Sequence, residues 1–174
     1  RIPDSQRLGN VGDGWSVAIT TLMNERLAIG AGAGTGWGDL FEYANAVDAA
    51  SDPAIRERLA EWYVNEMGLR YTGYRALTAL SKGQMPGPEN SISKIVAGNT
   101  MQLVASTALE IQDAAGVITD TEQIPQEGKF PAMMLRSLGM RIEGGTDEIL
   151  KNIIAERVLG LPGDIRVDRD VPFS

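Results

Sequence analysis

Ser51-Asp52-Pro53-Ala54-Ile55-Arg56-Glu57-Arg58-Leu59-Ala60-Glu61-Trp62-Tyr63 reads as the start of a long helix. Asp52 is placed as the N-cap, and Pro53 brings a φ already set for the first helical turn. Ile55, Leu59, Trp62 and Tyr63 recur at threes and fours. Tyr74 and Leu77 carry the pattern toward a stop near Lys82-Gly83. Downstream, Gln84 to Pro88 is a loop with two prolines, and a third helix is expected from about Ser91 to Ala114 with Ile92, Ile95, Val96, Leu103, Val104 and Ile111 inward. The stretch Gly116 to Phe130 is polar and rich in turn residues. A short helix around Ala132–Leu138 follows, then a Gly144-Gly145-Thr146 turn and a last helix to Leu159, stopped by Gly160 and Pro162. Upstream, Trp15, Ala18, Ile19, Leu22 and Ile29 repeat with helical period. Glycines at 30, 32, 34, 36 and 38 then allow either close helix approach or a break, before the pattern resumes through Leu40, Phe41, Ala44 and Val47. No stretch alternates with period two for long, and there are no internal repeats. The expected fold is all-α: an antiparallel four-helix bundle with short connecting helices.

Composition narrows the chemistry. The chain has 174 residues, a length suited to one domain with a real core. With 16 basic and 23 acidic residues its net charge is −7, which argues against non-specific nucleic-acid binding and against docking on an anionic membrane. Cysteine and histidine are both absent. Disulfides, thiol catalysis, Ser-His-Asp triads and the commonest metal ligands go with them, so no metal site is expected. No apolar run approaches the roughly 20 residues that span a bilayer, and the first residues do not resemble a signal peptide. A soluble, cytoplasmic domain without membrane insertion is the expectation. Acid–base work would fall to carboxylates, lysine or tyrosine. The opening Arg1 to Gly14 is loop-like and begins without methionine, in the manner of a piece of a longer polypeptide.

Three places could carry chemistry. On the first helix Arg26 falls near the middle of the apolar arc and Glu25 at its edge. A carboxylate beside an apolar face is a candidate base, although a surface glutamate with a snorkelling arginine gives the same pattern. Arg141-Ile142-Glu143-Gly144-Gly145-Thr146-Asp147-Glu148 leads into the last helix. Its glycines would let backbone approach a ligand and its helix N-terminus offers N–H donors, while Asp147 and Glu148 already complement the dipole. A capped glycine turn with no ligand is the plain alternative. Gln112-Asp113-Ala114-Ala115-Gly116 is an ordinary helix ending when taken alone, and Arg56-Glu57-Arg58 is a solvated face with local ion pairs.

Gly145-Thr146-Asp147-Glu148-Ile149, running on to Ile153-Ile154-Ala155-Glu156-Arg157-Val158-Leu159-Gly160, resembles the last helix of acyl-CoA dehydrogenases. Arg7-Leu8-Gly9 with Gly12-Asp13-Gly14-Trp15 is similar to the passage from that family's middle β-domain into its C-terminal helical domain, and the likeness in order and spacing covers almost the whole chain. The resemblance implies residues 1–14 as a linker from a preceding β-domain, residues 15–160 as the helical domain and residues 161–174 as a tail. It implies desaturation of an acyl-CoA thioester, in which a carboxylate takes the α-proton and the β-hydrogen leaves as hydride to FAD. It also implies electron-transfer flavoprotein as electron acceptor, and a homo- or hetero-oligomer, dimer or tetramer.

Most members of that family carry Tyr-Glu-Gly-Thr before the last helix, with the glutamate as base. Here Gly144 holds the glutamate's place and Glu143 the tyrosine's. A minority, the isovaleryl and long-chain types among them, supply the base from a Glu-Arg pair on the first helix, which Glu25-Arg26 resembles. By the same resemblance Met23, Asn24, Arg26 and Gly145 border the substrate, and Thr146, Asp147 and Glu148 match a flavin-contacting run. Two of the family's flavin features differ. Its Arg-x-x-Phe-Gly falls near Ser51-Asp52-Pro53 and is not reproduced, and its Gln-x-x-Gly-Gly is reduced to Gln112-Asp113-Ala114-Ala115-Gly116. Both differences fit members that work as paired, unequal subunits. A non-catalytic partner subunit, or an isolated helical interaction module, therefore stands beside the enzyme reading.

Overall fold

The computed structural model describes residues 2–32, 34–84, 87–88, 90–120, 122–163 and 165, with the side chains of 23–24 and 26–32 left aside. The described residues form an all-α fold. Six α-helices follow one another: α1 (Gly14–Gly32), α2 (Trp37–Ala46), α3 (Pro53–Ser81), α4 (Asn90–Gln112), α5 (Lys129–Met140) and α6 (Asp147–Arg157). Short 3₁₀ turns lie between them, among them Ala49–Ser51 and Asp113–Val117.

The ends of these helices are set by local chemistry. The Asp52 carboxylate accepts from the Ala54 N–H at 2.8 Å, with Pro53 in the first turn of α3. At the other end of α3 the N–H groups of Gly83 and Gln84 reach back to the carbonyls of Leu80 and Ala79, at 2.9 and 3.0 Å, with Gly83 at φ 72°. The glycine-rich patch proves to be a break: α1 stops at Gly32, and Gly36, at φ 76°, caps α2. A side chain at Gly36 would also be crowded, since an added Cβ would lie 2.5 Å from the Met133 methyl.

Helix α4 packs against each of the other five helices. Its buried side chains are therefore mostly small or polar: Ser91, Ser93, Ala97, Thr100, Ala105, Thr107 and Ala108, with Met101 and Val104 as the larger ones. Small residues let neighbours approach a helix from several sides at once. One core cluster joins Leu40, Ala44, Leu59, Trp62, Val104, Ala108 and Phe130, and a second joins Ala97, Met101 and Met140.

This arrangement corrects several inward assignments. On α4, Val104 is buried as expected, but Ile92 and Leu103 lie on the surface, and Ile95, Val96 and Ile111 are only half-buried. On α3, Leu59 and Trp62 enter the core, whereas Tyr63, Tyr74 and Leu77 are exposed, Leu77 by 62%. On α1, Trp15 is 78% exposed and Ile19 also reaches the surface. Apolar periodicity marked surfaces that this chain does not itself cover. An open groove of about 500 Å³ runs along the end of α3, between Tyr71, Tyr74, Arg75 and Lys82, and holds none of the candidate site residues. No helix among the described residues is long and apolar enough to cross a membrane.

Asp52→Ala removes the cap of the longest helix. It is expected to cost about 1 kcal/mol, read as a lower urea midpoint with the slope of the transition unchanged.

Candidate functional site

The turn between α5 and α6 is closed by its own backbone. The N–H groups of Ile142 and Glu143 both donate to the Gly139 carbonyl at 3.0 Å, and the Asp147 N–H donates to the Arg141 carbonyl at 3.2 Å. Gly144 and Gly145 take φ values of 64° and 112°. The second in particular is a conformation that residues with a Cβ avoid. The Thr146 hydroxyl then accepts from the Ile149 N–H at 3.3 Å and caps α6. A hydrogen bond from its own backbone N–H, and a second from Thr146, hold the Glu148 carboxyl below the ordinary carboxylate range.

Beneath this turn lies a polar cluster that the sequence reading passed over. Lys94 of α4 is fully buried, and its Nζ donates to the Gly145 carbonyl at 2.7 Å. Asp147, 2% exposed, accepts from Arg141 Nε at 2.7 Å through one carboxylate oxygen. Its other oxygen stands 3.8 Å from Lys94 Nζ, an ion-pair separation beyond hydrogen-bond length. Arg141 also donates to Gln102 Oε1 at 2.7 Å, and it lies over Gly98, where an added Cβ would be 3.3 Å from Arg141 Cγ. One signal could have revealed this cluster: Lys94 is the single charged residue between Asn90 and Leu109. A lone charge on a helix packed on many sides must find a partner.

The sequence candidates fall into two groups. Gly145, Thr146, Asp147 and Glu148 are contiguous where the turn just described enters α6, with the Asp147 side chain turned to the buried cluster and Glu148 exposed. Glu25 is half-buried on α1, while the side chains of Met23, Asn24 and Arg26 lie outside the described residues. Helices α1 and α6 both pack on α4, which is what relates the two groups. Glu143 is paired with Arg136. At the end of α4, Gln112 is buried with neither amide atom bonded among the described residues, and Asp113 follows at φ 52°. The described residues bring no three metal-ligating side chains together.

Thr146→Ala should cost about 1 kcal/mol through the lost cap and move the Glu148 carboxyl up toward its ordinary value, read by NMR titration. Because Glu148 titrates low in the folded chain, its contribution is present above the ordinary value of 4.5 and fades as pH falls through the depressed one. The stability gap between wild type and variant should therefore narrow below about pH 4.5.

Comparisons with known proteins agree with this architecture. The family model described as "Acyl-CoA dehydrogenase, C-terminal domain" matches residues 12–159. Acyl-CoA dehydrogenase IpdE1 of Mycolicibacterium smegmatis is 35% identical over 163 residues, covering 91% of this chain and 40% of that protein. Acyl-CoA dehydrogenase FadE34 of Mycobacterium tuberculosis is 32% identical over 163 residues, covering 92% of this chain and 22% of that protein. Among solved structures, the Tcur3481-Tcur3483 steroid ACAD superposes with a TM-score of 0.79 at 24% identity, over 94% of this chain and 44% of that one. The chain thus spans well under half the length of these relatives. Its match to the family model over nearly its whole length, with the helical architecture to go with it, makes this chain a member of the acyl-CoA dehydrogenase family, corresponding to the C-terminal helical domain.

Proposed function

We propose that this chain is the helical part of a flavin-dependent enzyme that introduces an α,β double bond into an acyl-CoA thioester, with the Glu25 carboxylate as base for the α-proton. The observation that carries the reading lies before α6. Gly144 stands in the place of the family's usual glutamate, and the adjacent carboxylate, Glu143, is committed to Arg136. Glu25, half-buried on a helix that packs against α4, is then the carboxylate of the alternative Glu-Arg pattern. In a chain without histidine or cysteine, a carboxylate is the natural group for this proton transfer.

Several residues fit FAD. Gly144 and Gly145 place no side chain over the turn, the Thr146 N–H donates to no described group, and the buried Gln112 amide has no partner among the described residues. Gly145, Thr146 and Gln112 are the groups that would hold the cofactor. When bound, FAD supplies the acceptor for the β-hydride. The remaining work belongs to the chain: Glu25 removes and holds the α-proton, Met23, Asn24, Arg26 and Gly145 border the acyl group and thioester, and in the run Thr146 to Glu148 the first and last face the flavin while buried Asp147 supports them from below. Electron-transfer flavoprotein is the proposed electron acceptor, in an oligomeric assembly.

A second reading is favoured by particular observations. Asp113–Val117, directly after Gln112 at the end of α4, folds into a 3₁₀ turn, and Ser51-Asp52-Pro53 is spent on starting α3. A chain so altered at both of the family's adenosine-side features suits a non-catalytic partner subunit of a heteromeric dehydrogenase.

A visible absorption spectrum of the full-length protein, expressed alone, separates the two. A flavin band that bleaches when acyl-CoA is added without oxygen supports the enzyme, whereas a colourless folded protein selects the partner subunit. In the active enzyme, Glu25→Gln should lower kcat by about 10²- to 10⁴-fold with the flavin retained. Glu143→Gln should change kcat by less than about threefold, because Glu143 takes no part in the proton transfer.

A further inference from the structure

We propose that Lys94 is a positioning residue, whose buried ammonium sets the direction in which the Gly145–Thr146 peptide faces a ligand. The proposal rests on the reading of the Gly144–Asp147 turn as the flavin- and thioester-facing edge. Two consecutive glycines at positive φ have little conformational preference of their own, so the shape of the turn has to be imposed by its surroundings. Backbone hydrogen bonds to the Gly139 and Arg141 carbonyls close the turn on either side of the glycines, and two side-chain contacts from below fix what lies between. Lys94 Nζ holds the Gly145 carbonyl at 2.7 Å, and Arg141 Nε holds the Asp147 carboxylate at 2.7 Å.

The peptide after Gly145 is trans, so its N–H points away from its carbonyl, and therefore away from Lys94. The Thr146 N–H donates to no described group and is the one this arrangement presents. An ammonium bonded to the carbonyl also polarises the peptide and strengthens that N–H as a donor. A methionine would fill much the same volume at lower desolvation cost, so packing alone gives no reason for a charge at this position.

The test uses the full-length protein with Lys94→Met, and with the double variant Lys94→Met/Asp147→Asn. The double variant removes both buried members of the pair and leaves Arg141, which is partly exposed, to be solvated. It covers the case in which the single variant, with Asp147 left less compensated, does not fold. Amide hydrogen exchange followed by mass spectrometry should show residues 141–149 exchanging at least about tenfold faster, with α3 and the second half of α4 as in wild type. The same variants should lose kcat about tenfold or more while KM for acyl-CoA stays within about threefold.

A turn that stays protected in the folded variant overturns the proposal. So does exchange that rises equally throughout the chain, which would make Lys94 a general core residue. A loosened turn with unchanged kcat and an unchanged flavin spectrum overturns it as well. If the wild-type protein holds no flavin and turns nothing over, the enzyme reading fails, and the exchange pattern by itself decides whether Lys94 sets the turn.

Discussion

An ammonium removed from water must be met by oxygen, and at the centre of this chain that requirement joins two elements 51 residues apart in sequence. Lys94 satisfies it with the carbonyl of a glycine and the nearby carboxylate of the residue that opens α6. Arg141, at the end of α5, shares the same carboxylate and extends the cluster to Gln102 on α4. Three helices are thus tied at one point by groups that are costly to leave unpaired. The glycine turn lies directly over that point.

The placement of α4 makes this possible. A helix touched by five others cannot keep one apolar stripe and one wet face, and it solves the packing problem with serine, threonine, alanine and glycine. Two of its larger apolar residues, Ile92 and Leu103, are displaced to the outside, while Met101 and Val104 stay buried. Together with Trp15, Tyr74 and Leu77 they form apolar surface of the kind that suits contact with further domains or subunits.

Features governed by neighbours in sequence could be read directly from it. Asp52-Pro53 announced the start of α3, Lys82-Gly83 its end, and Thr146 followed by acidic residues the start of α6. Gly144-Gly145-Thr146 could likewise be singled out as a turn before any coordinates. Which face of α4 is buried was hidden, because helical periodicity separates apolar from polar residues, and α4 buries serine and threonine while Ile92 and Leu103 face outward. The Lys94 cluster was hidden for a related reason: its partners come from α4, α5 and the turn, and their meeting is a tertiary fact. The half-burial of Glu25 also depends on what α1 packs against.

Helix α3 sends only Leu59 and Trp62 fully into the core, both within its first three turns. The stretch from Trp62 to its end at Ser81 extends roughly 30 Å farther. A survey of tolerated substitutions along this helix should accordingly divide in two. Near Leu59 and Trp62 the accepted residues would be dictated by volume, and the sequence could be recovered from this fold alone. Beyond, at Tyr71, Tyr74 and Leu77, whatever restriction is found would be imposed by molecules other than this domain, and such a survey would trace their footprint.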